Sequence, residues 1–278
     1  MPRPALGCDT PVMDGSRTGD RVTPGASTPG VFTPGTYGES FVDVYDDWYA
    51  DVSDIAGTVR TVAGFAAGGL VVELGAGTGR LALPIAEAGC PVVALDVSAA
   101  MLGRLGERLE GTEGAPPALP LVADMTEPAL RPGCASVVLV AFNTLFNVTD
   151  PDDQQRAVDR AADLLESGGR FVVEAFVPPD PDDAPRSDVS ARSVEVDRVV
   201  LVVALRDPTA QTITGQHVEL TEAGGVRLRP WKVRYLTPTQ LDAAATAAGL
   251  VLEQRWSDWD GAPFTGHSTQ HVSVYRRP

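Results

Sequence analysis

Val71-Val72-Glu73-Leu74-Gly75-Ala76-Gly77-Thr78-Gly79 is the segment from which the architecture can be read. An apolar run carries an acid near its end, glycines follow at alternate positions, and Arg80-Leu81-Ala82-Leu83-Pro84-Ile85-Ala86 begins a helical pattern. The spacing predicts strand, tight loop and helix. Glycine allows positive φ and close approach of the backbone to a ligand, and the free N–H groups that open a helix favour an anionic or electron-rich group. The segment therefore reads as a nucleotide-type cofactor site. The dinucleotide fingerprint G-x-G-x-x-G would need glycine where this chain has Arg80. The P-loop fails as well, because no Gly-Lys-Ser/Thr follows and Lys232 is the only lysine.

The next apolar run, Pro91-Val92-Val93-Ala94-Leu95-Asp96, also ends in an acid. A strand-end carboxylate there is placed to take both hydroxyls of a ribose. Val97-Ser98-Ala99-Ala100-Met101-Leu102 opens another helix, and Leu119-Pro120-Leu121-Val122-Ala123-Asp124-Met125 gives a third strand whose acid suits an adenine amino group. In this order, E-L-G-A-G-T-G, L-D-V-S-x-x-M-L and A-D-M resemble the class I S-adenosylmethionine-dependent methyltransferases. The resemblance implies an α/β fold, a Rossmann-like seven-stranded methyltransferase sheet with an inserted antiparallel β cap, and S-adenosyl-L-methionine as cofactor. The candidate cofactor-binding residues are Tyr37, Tyr45, Glu73, Gly75, Ala76, Gly77, Thr78, Gly79, Arg80, Asp96, Val97, Met101, Ala123, Asp124, Met125 and Phe142.

The formal charge of −15 repels a phosphate backbone over most of the surface, so no nucleic-acid partner is expected, and it draws in cations such as amines. Cys8, Cys90 and Cys134 show neither disulfide nor zinc spacing. No metal is expected. No apolar run approaches the roughly 18 to 20 residues that span a bilayer, and the start of the chain lacks the pattern of a signal peptide. A cytoplasmic enzyme without a membrane partner is expected.

Residues 1–36 are rich in Pro, Gly, Thr and Ser and are expected to form a disordered tail. Residues 37–188 form the expected Rossmann-like cofactor-binding core with an N-terminal lid helix. Phe41, Tyr45, Trp48 and Tyr49 fall at i, i+4, i+7 and i+8 and so share one helical face. The tyrosines suit a cofactor lid, each having an apolar body and a polar tip. Ser136-Val137-Val138-Leu139-Val140-Ala141 is a buried strand leading into Phe142-Asn143-Thr144-Leu145-Phe146-Asn147, and strand ends of this kind are where open α/β sheets bind ligands. Turn chemistry explains Asn143 and Asn147 as well as substrate contact does. Glu174 ends the next strand and is a candidate for substrate or proton handling.

Residues 189–235 hold successive strand-like runs separated by turn residues, so an inserted antiparallel cap or dimer element is expected. Residues 236–278 are read as the last helix, opened by Thr237-Pro238, and a closing hairpin. The histidines are His217 in the inserted sheet, His267 in a late loop and His271 in the last strand. The candidate catalytic set is Tyr49, Asn147, Glu174 and His217.

Val44-Tyr45-Asp46 with Tyr49, Val172-Val173-Glu174, the inserted strands and Ala247-Ala248-Gly249-Leu250 resemble the bacterial natural-product methyltransferases, above all the aminosugar N,N-dimethyltransferases. The chain departs from them at Asn147, where they carry His or another aromatic polar group. The resemblance implies methyl transfer by in-line displacement to an amine of a small molecule or natural product, an aminosugar or a peptide amine. The family's dimers use the inserted sheet, which implies a homodimer. O-methylation of a hydroxyl or carboxylate is the alternative, and a non-catalytic cofactor-binding protein is a third reading.

Overall fold

Short runs of aliphatic and β-branched residues build the centre of the molecule, because such strands can be covered on both faces. A computed structural model describes residues 32–49, 53–110, 118–180 and 186–278. Its strands are β1 (Val71–Leu74), β2 (Val92–Asp96), β3 (Ala118–Val122), β4 (Ala135–Val140), β5 (Leu165–Phe176), β6 (Ser187–Val194), β7 (Arg198–Asp207), β8 (Thr212–Thr221), β9 (Val226–Arg234), β10 (Val251–Trp256) and β11 (Gln270–Arg276). Its helices are α1 (Thr36–Phe41), α2 (Tyr45–Trp48), α3 (Ile55–Ala66), α4 (Ala82–Glu87), α5 (Ala99–Leu109), α6 (Pro151–Leu164) and α7 (Pro238–Ala247), with one 3-10 turn at Thr144–Asn147.

The larger sheet has seven strands in the order β10-β11-β5-β4-β1-β2-β3. Strands β1 to β5 run parallel, with Val72 beside Val93 on one side and Val138 on the other, and β11 pairs antiparallel to β5. The order reverses between β1 and β4. Open α/β sheets place ligands beyond the strand ends at such a point. Pro120 is tolerated in β3 because that strand is an edge.

Two apolar layers cover the sheet. Ala157, Val158, Leu241 and Ala245 of α6 and α7 pack with Val72, Leu74, Val138 and Phe171 on one face. Val62, Ile85 and Leu105 of α3, α4 and α5 pack with Val71, Ala94, Val137 and Val172 on the other. The expected helix starts are held by side chains: Asp150 accepts from the amides of Asp152 and Asp153, and Thr237 forms a reciprocal cap with Gln240.

The inserted segment forms a separate antiparallel sheet in the order β6-β7-β8-β9. One face buries Val200, His217 and Arg229, while Val189, Leu205 and Leu228 on the other stay exposed. Strand β6 has no named counterpart in the sequence reading, because Ser187-Asp188-Val189-Ser190 lacks an apolar run.

The expected single lid helix is broken. Helix α1 ends at Phe41 and α2 starts at Tyr45. In the break, the buried Arg229 guanidinium donates to the Ser40 carbonyl at 2.6 Å and to both Asp43 carboxylate oxygens at 2.6 and 3.0 Å. Opening the helix at Asp43 gives that cation its partners. Rings still meet across the break, with Phe41 and Trp48 centroids 6.2 Å apart.

Residues 1–31 of the expected tail, Cys8 among them, lie outside the described residues. Its last part is built into the structure, since Phe32, Thr33, Pro34 and Thr36 line a cavity beyond the strand ends. Among the described residues no helix is long and apolar enough to cross a membrane.

Candidate active site

The glycine loop leaves β1 and is fixed by main-chain bonds, Gly75 and Ala76 donating to the Leu95 carbonyl at 2.7 and 2.9 Å. At Gly75, φ is +76° and an added Cβ would lie 2.1 Å from Cγ2 of Thr144. Only glycine lets the loop pass under the end of β4. The Gly77 amide donates to Asp96 Oδ2 at 2.8 Å, and the Ser98 amide donates to Oδ1 at 2.8 Å. Each oxygen keeps capacity for one more donor, which is what a vicinal diol requires. Burial raises the Asp96 pKa, against the amides of Ser98, Gly77 and Val97 that favour the charged form.

A cavity of about 270 Å³ opens above these strand ends. Asp96 and Asp124 stand on its wall with the apolar side chains of Leu95, Val97, Met101, Ala123 and Met125, beside the bare backbone of Gly75 and Gly77. Asp124 Oδ1 is taken by the amide and hydroxyl of Thr126, both at 2.8 Å. Its other oxygen has no partner among the described residues and can receive an exocyclic amine. An apolar slot with a carboxylate at each end of a nucleoside fits the expected cofactor.

Tyrosines close the lid side. Tyr37 stacks on Phe41 at 4.6 Å and meets Tyr45 edge-on at 6.4 Å, while Tyr45 lies 4.9 Å from Tyr49, which faces Phe142 at 5.9 Å. Burial first, and neighbouring tyrosines next, hold the Tyr37 hydroxyl well above its ordinary pKa, and burial raises Tyr45 also. These phenols stay neutral donors. The loop is tied to the lid through Thr78, whose hydroxyl donates to Asp46 Oδ1 at 2.6 Å, and Arg108 pairs with the same carboxylate at 2.7 Å.

Of the sequence candidates, Tyr37, Tyr45, Gly75, Gly77, Asp96, Val97, Met101, Ala123, Asp124, Met125 and Asn147 reach the cavity wall. Glu73, Ala76, Thr78, Gly79, Arg80 and Phe142 lie behind it. Glu73 is buried, with Oε2 unpartnered among the described residues, and burial pushes its pKa up to about 8 despite the opposing charge of Arg80. Arg80 donates to the Ser53 hydroxyl and lies 5.2 Å from the Phe142 ring centre.

Glu174, Tyr49 and His217 are also off the wall. Glu174 accepts from the Phe142 amide and the Trp259 indole, each at 2.9 Å, so both its oxygens are engaged. His217 is enclosed by Phe41, Trp48 and Trp231, with ring centres 5.1, 5.4 and 6.4 Å away. Burial, then Arg192 and Arg229, hold its pKa down to about 4. Asn143 serves the turn: φ is +64°, and its side-chain oxygen accepts from the Phe176 amide at 2.7 Å.

Sequence reasoning missed the wall formed by Phe32, Thr33, Pro34, Thr36, Thr144, Val148 to Asp150, Asp153, Trp231 and Lys232. The tail gave no apolar signal, and Trp231 and Lys232 arrive from a sheet remote in sequence. The one available clue was that Lys232 has no other lysine for company.

Comparison with known proteins agrees with this geometry. Residues 71–169 match the family model described as a methyltransferase domain. The chain is 37% identical to the CcbJ methyltransferase of Streptomyces caelestis, covering 88% of this chain and 99% of that one with a TM-score of 0.82. It is 28% identical to the cypemycin N-terminal methyltransferase of a Streptomyces species, over 87% of this chain and 97% of the relative. CalS10, an amino pentose methyltransferase of Micromonospora echinaspora solved with its cofactor, shares the fold at 20% identity, covering 84% of this chain and 97% of that one with a TM-score of 0.65. With glycine loop, strand-end acids and sheet order all in place, the chain belongs to the class I S-adenosylmethionine-dependent methyltransferases and uses S-adenosyl-L-methionine as its cofactor.

Proposed function

We propose that this enzyme methylates an amine nitrogen of a small-molecule or peptide acceptor. The observation that carries the reading is that the two candidate bases, Glu174 and His217, both stand off the cavity wall. Glu174 is engaged by Phe142 and Trp259, and His217 is enclosed, with burial holding its pKa down to about 4. A hydroxyl acceptor needs help to lose its proton, whereas a neutral amine attacks with its own lone pair. The similarity to an enzyme named for N-terminal methylation supports the same choice.

When bound, the cofactor supplies a methyl carbon activated by its sulfonium. Asp96 would take the ribose hydroxyls, and Asp124 the adenine amine. Val97, Met101, Ala123 and Met125 would enclose the base. Tyr37 and Tyr45 would cover the methionyl portion and exclude water, and Asn147 would orient the acceptor with its side-chain amide. Glu174 would act as a positioning residue, fixing Phe142 and through it the face of Tyr49. Alignment and water exclusion are then the main contributions of the protein. The surplus proton of the product ammonium leaves to solvent.

We further propose that two copies associate through the exposed face of the β6-β9 sheet. The family's use of this element and the apolar face carried by Val189, Leu205 and Leu228 support a second copy as the occupant.

The test of the reaction is to incubate the protein with methyl-labelled cofactor and a panel of amines, phenols and carboxylic acids. Label located on nitrogen by mass spectrometry is the expected outcome. Label on oxygen alone would overturn the reading.

A further inference from the structure

Lys232 is the only cationic residue on the cavity wall among the described residues. It is half-buried, and no ion pair or hydrogen bond joins its side chain to another described residue. The acids beside it each use one carboxylate oxygen elsewhere, and neither pairs with Lys232. Asp150 caps α6 through the amides of Asp152 and Asp153, at 2.9 and 3.1 Å, and Asp153 pairs with Arg156 at 2.5 Å.

Its place in the fold sets it apart from the nucleoside slot. Side chains alternate along a strand, so Lys232 shares a side of β9 with Leu228, at the exposed end of the strand, and with Arg234, which at the other end donates to Gln154 in the first turn of α6. At the Arg234 end that side faces the segment after β4, where Asn147 and Asp150 line the cavity. Asp96 and Asp124 follow β2 and β3, across β1 in the sheet. The cofactor's sugar and base belong on that far side, and the acceptor belongs with Lys232.

A half-buried lysine without a partner gains a charge-assisted bond when a ligand supplies the anion, and such bonds are stronger in a partly enclosed cavity than in water. We propose that Lys232 is the specificity-determining residue for a carboxylate on the acceptor, so that the substrate is an amine that also carries an acid group, such as an amino acid or a peptide with a free carboxyl terminus. This rests on the assignment of nitrogen as the methylated atom and names the substrate class for it.

The experiment is a calorimetric titration of the full chain in complex with S-adenosylhomocysteine. The probes are matched pairs, L-proline with L-prolinamide and L-alanyl-L-alanine with its carboxamide. The acid of a pair should bind at least about tenfold more tightly than the amide. Lys232→Ala should bring the acid to the level of the amide, Lys232→Arg should restore the preference, and affinity for S-adenosylhomocysteine should stay within about twofold. Equal binding of acid and amide, binding of neither, or a matching loss of S-adenosylhomocysteine affinity in Lys232→Ala would overturn the subsite. The two readings separate in a parallel methylation assay. Amines methylated without preference for the acid discard the subsite and keep nitrogen chemistry. Label confined to oxygen, with acid preference intact, discards nitrogen chemistry and keeps the subsite.

Discussion

Asp96 shows how much one residue carries. Its carboxylate holds the Gly77 and Ser98 amides, so it shapes the loop and presents its remaining lone pairs to the cavity. Asp96→Ala should weaken cofactor binding by about tenfold to a hundredfold, the worth of hydrogen bonds to a charged group. Calorimetry checks this, and unchanged affinity would remove Asp96 from the ribose. Glu73 makes a different prediction. Its folded pKa of about 8 lies above the ordinary 4.5, so between those values the native state holds a proton that the unfolded chain has lost. Stability from this group is full below pH 4.5 and declines as pH rises to about 8, by at most about 1.4 kcal/mol per pH unit. Glu73→Gln should flatten that decline in melting curves, and an unchanged slope would place the titration elsewhere. Asp96 and Glu73 were legible in sequence because local strand and loop geometry positions them. The engagement of Glu174 was not, since Trp259 reaches it from a loop far along the chain.

At the scale of elements, the lid depends on partners that no local pattern shows. The aromatic spacing from Phe41 to Tyr49 was readable as a packed face. Its break was hidden, because Arg229 lies in another sheet and imposes it across the fold. His217 supplies the test. Its folded pKa of about 4 lies below the free value of 6.5, so only the unfolded chain takes up a proton between them. Stability from this group is complete above pH 6.5 and is lost as pH falls towards 4, by up to about 3 kcal/mol. His217→Phe keeps a ring among Phe41, Trp48 and Trp231 and should reduce this acid sensitivity, followed as melting temperature between pH 4.5 and 7. An identical pH profile would show that the lid does not feel this imidazole. Strand β6 was equally hidden, since its polar residues form a strand by pairing with β7 rather than by their own preference.

For the whole molecule, motif order at strand ends made the seven-stranded sheet legible, since each acid and glycine marks where a parallel strand stops. The cap was legible as successive strands, but which of its faces would be covered was not, because alternation names two faces without choosing one. The exposed face should bring two copies together. Light scattering should then give about twice the 29.2 kDa of the chain, and Val189→Glu with Leu228→Glu should return it to one copy with its far-ultraviolet spectrum intact. A wild-type monomer would rule out the association. The placement of Arg229 bears on turnover itself. It holds Asp43 of the lid and also Glu219 of its own sheet, the latter at 3.2 Å. When the lid lifts, the guanidinium keeps Glu219, while Asp43 and the Ser40 carbonyl depart into water. Opening also parts Asp43 from Arg227 and Asp46 from Arg108, partly exposed pairs that salt screens, and strands no cation in an apolar setting, so product should escape faster, and steady-state turnover rise, as ionic strength is increased.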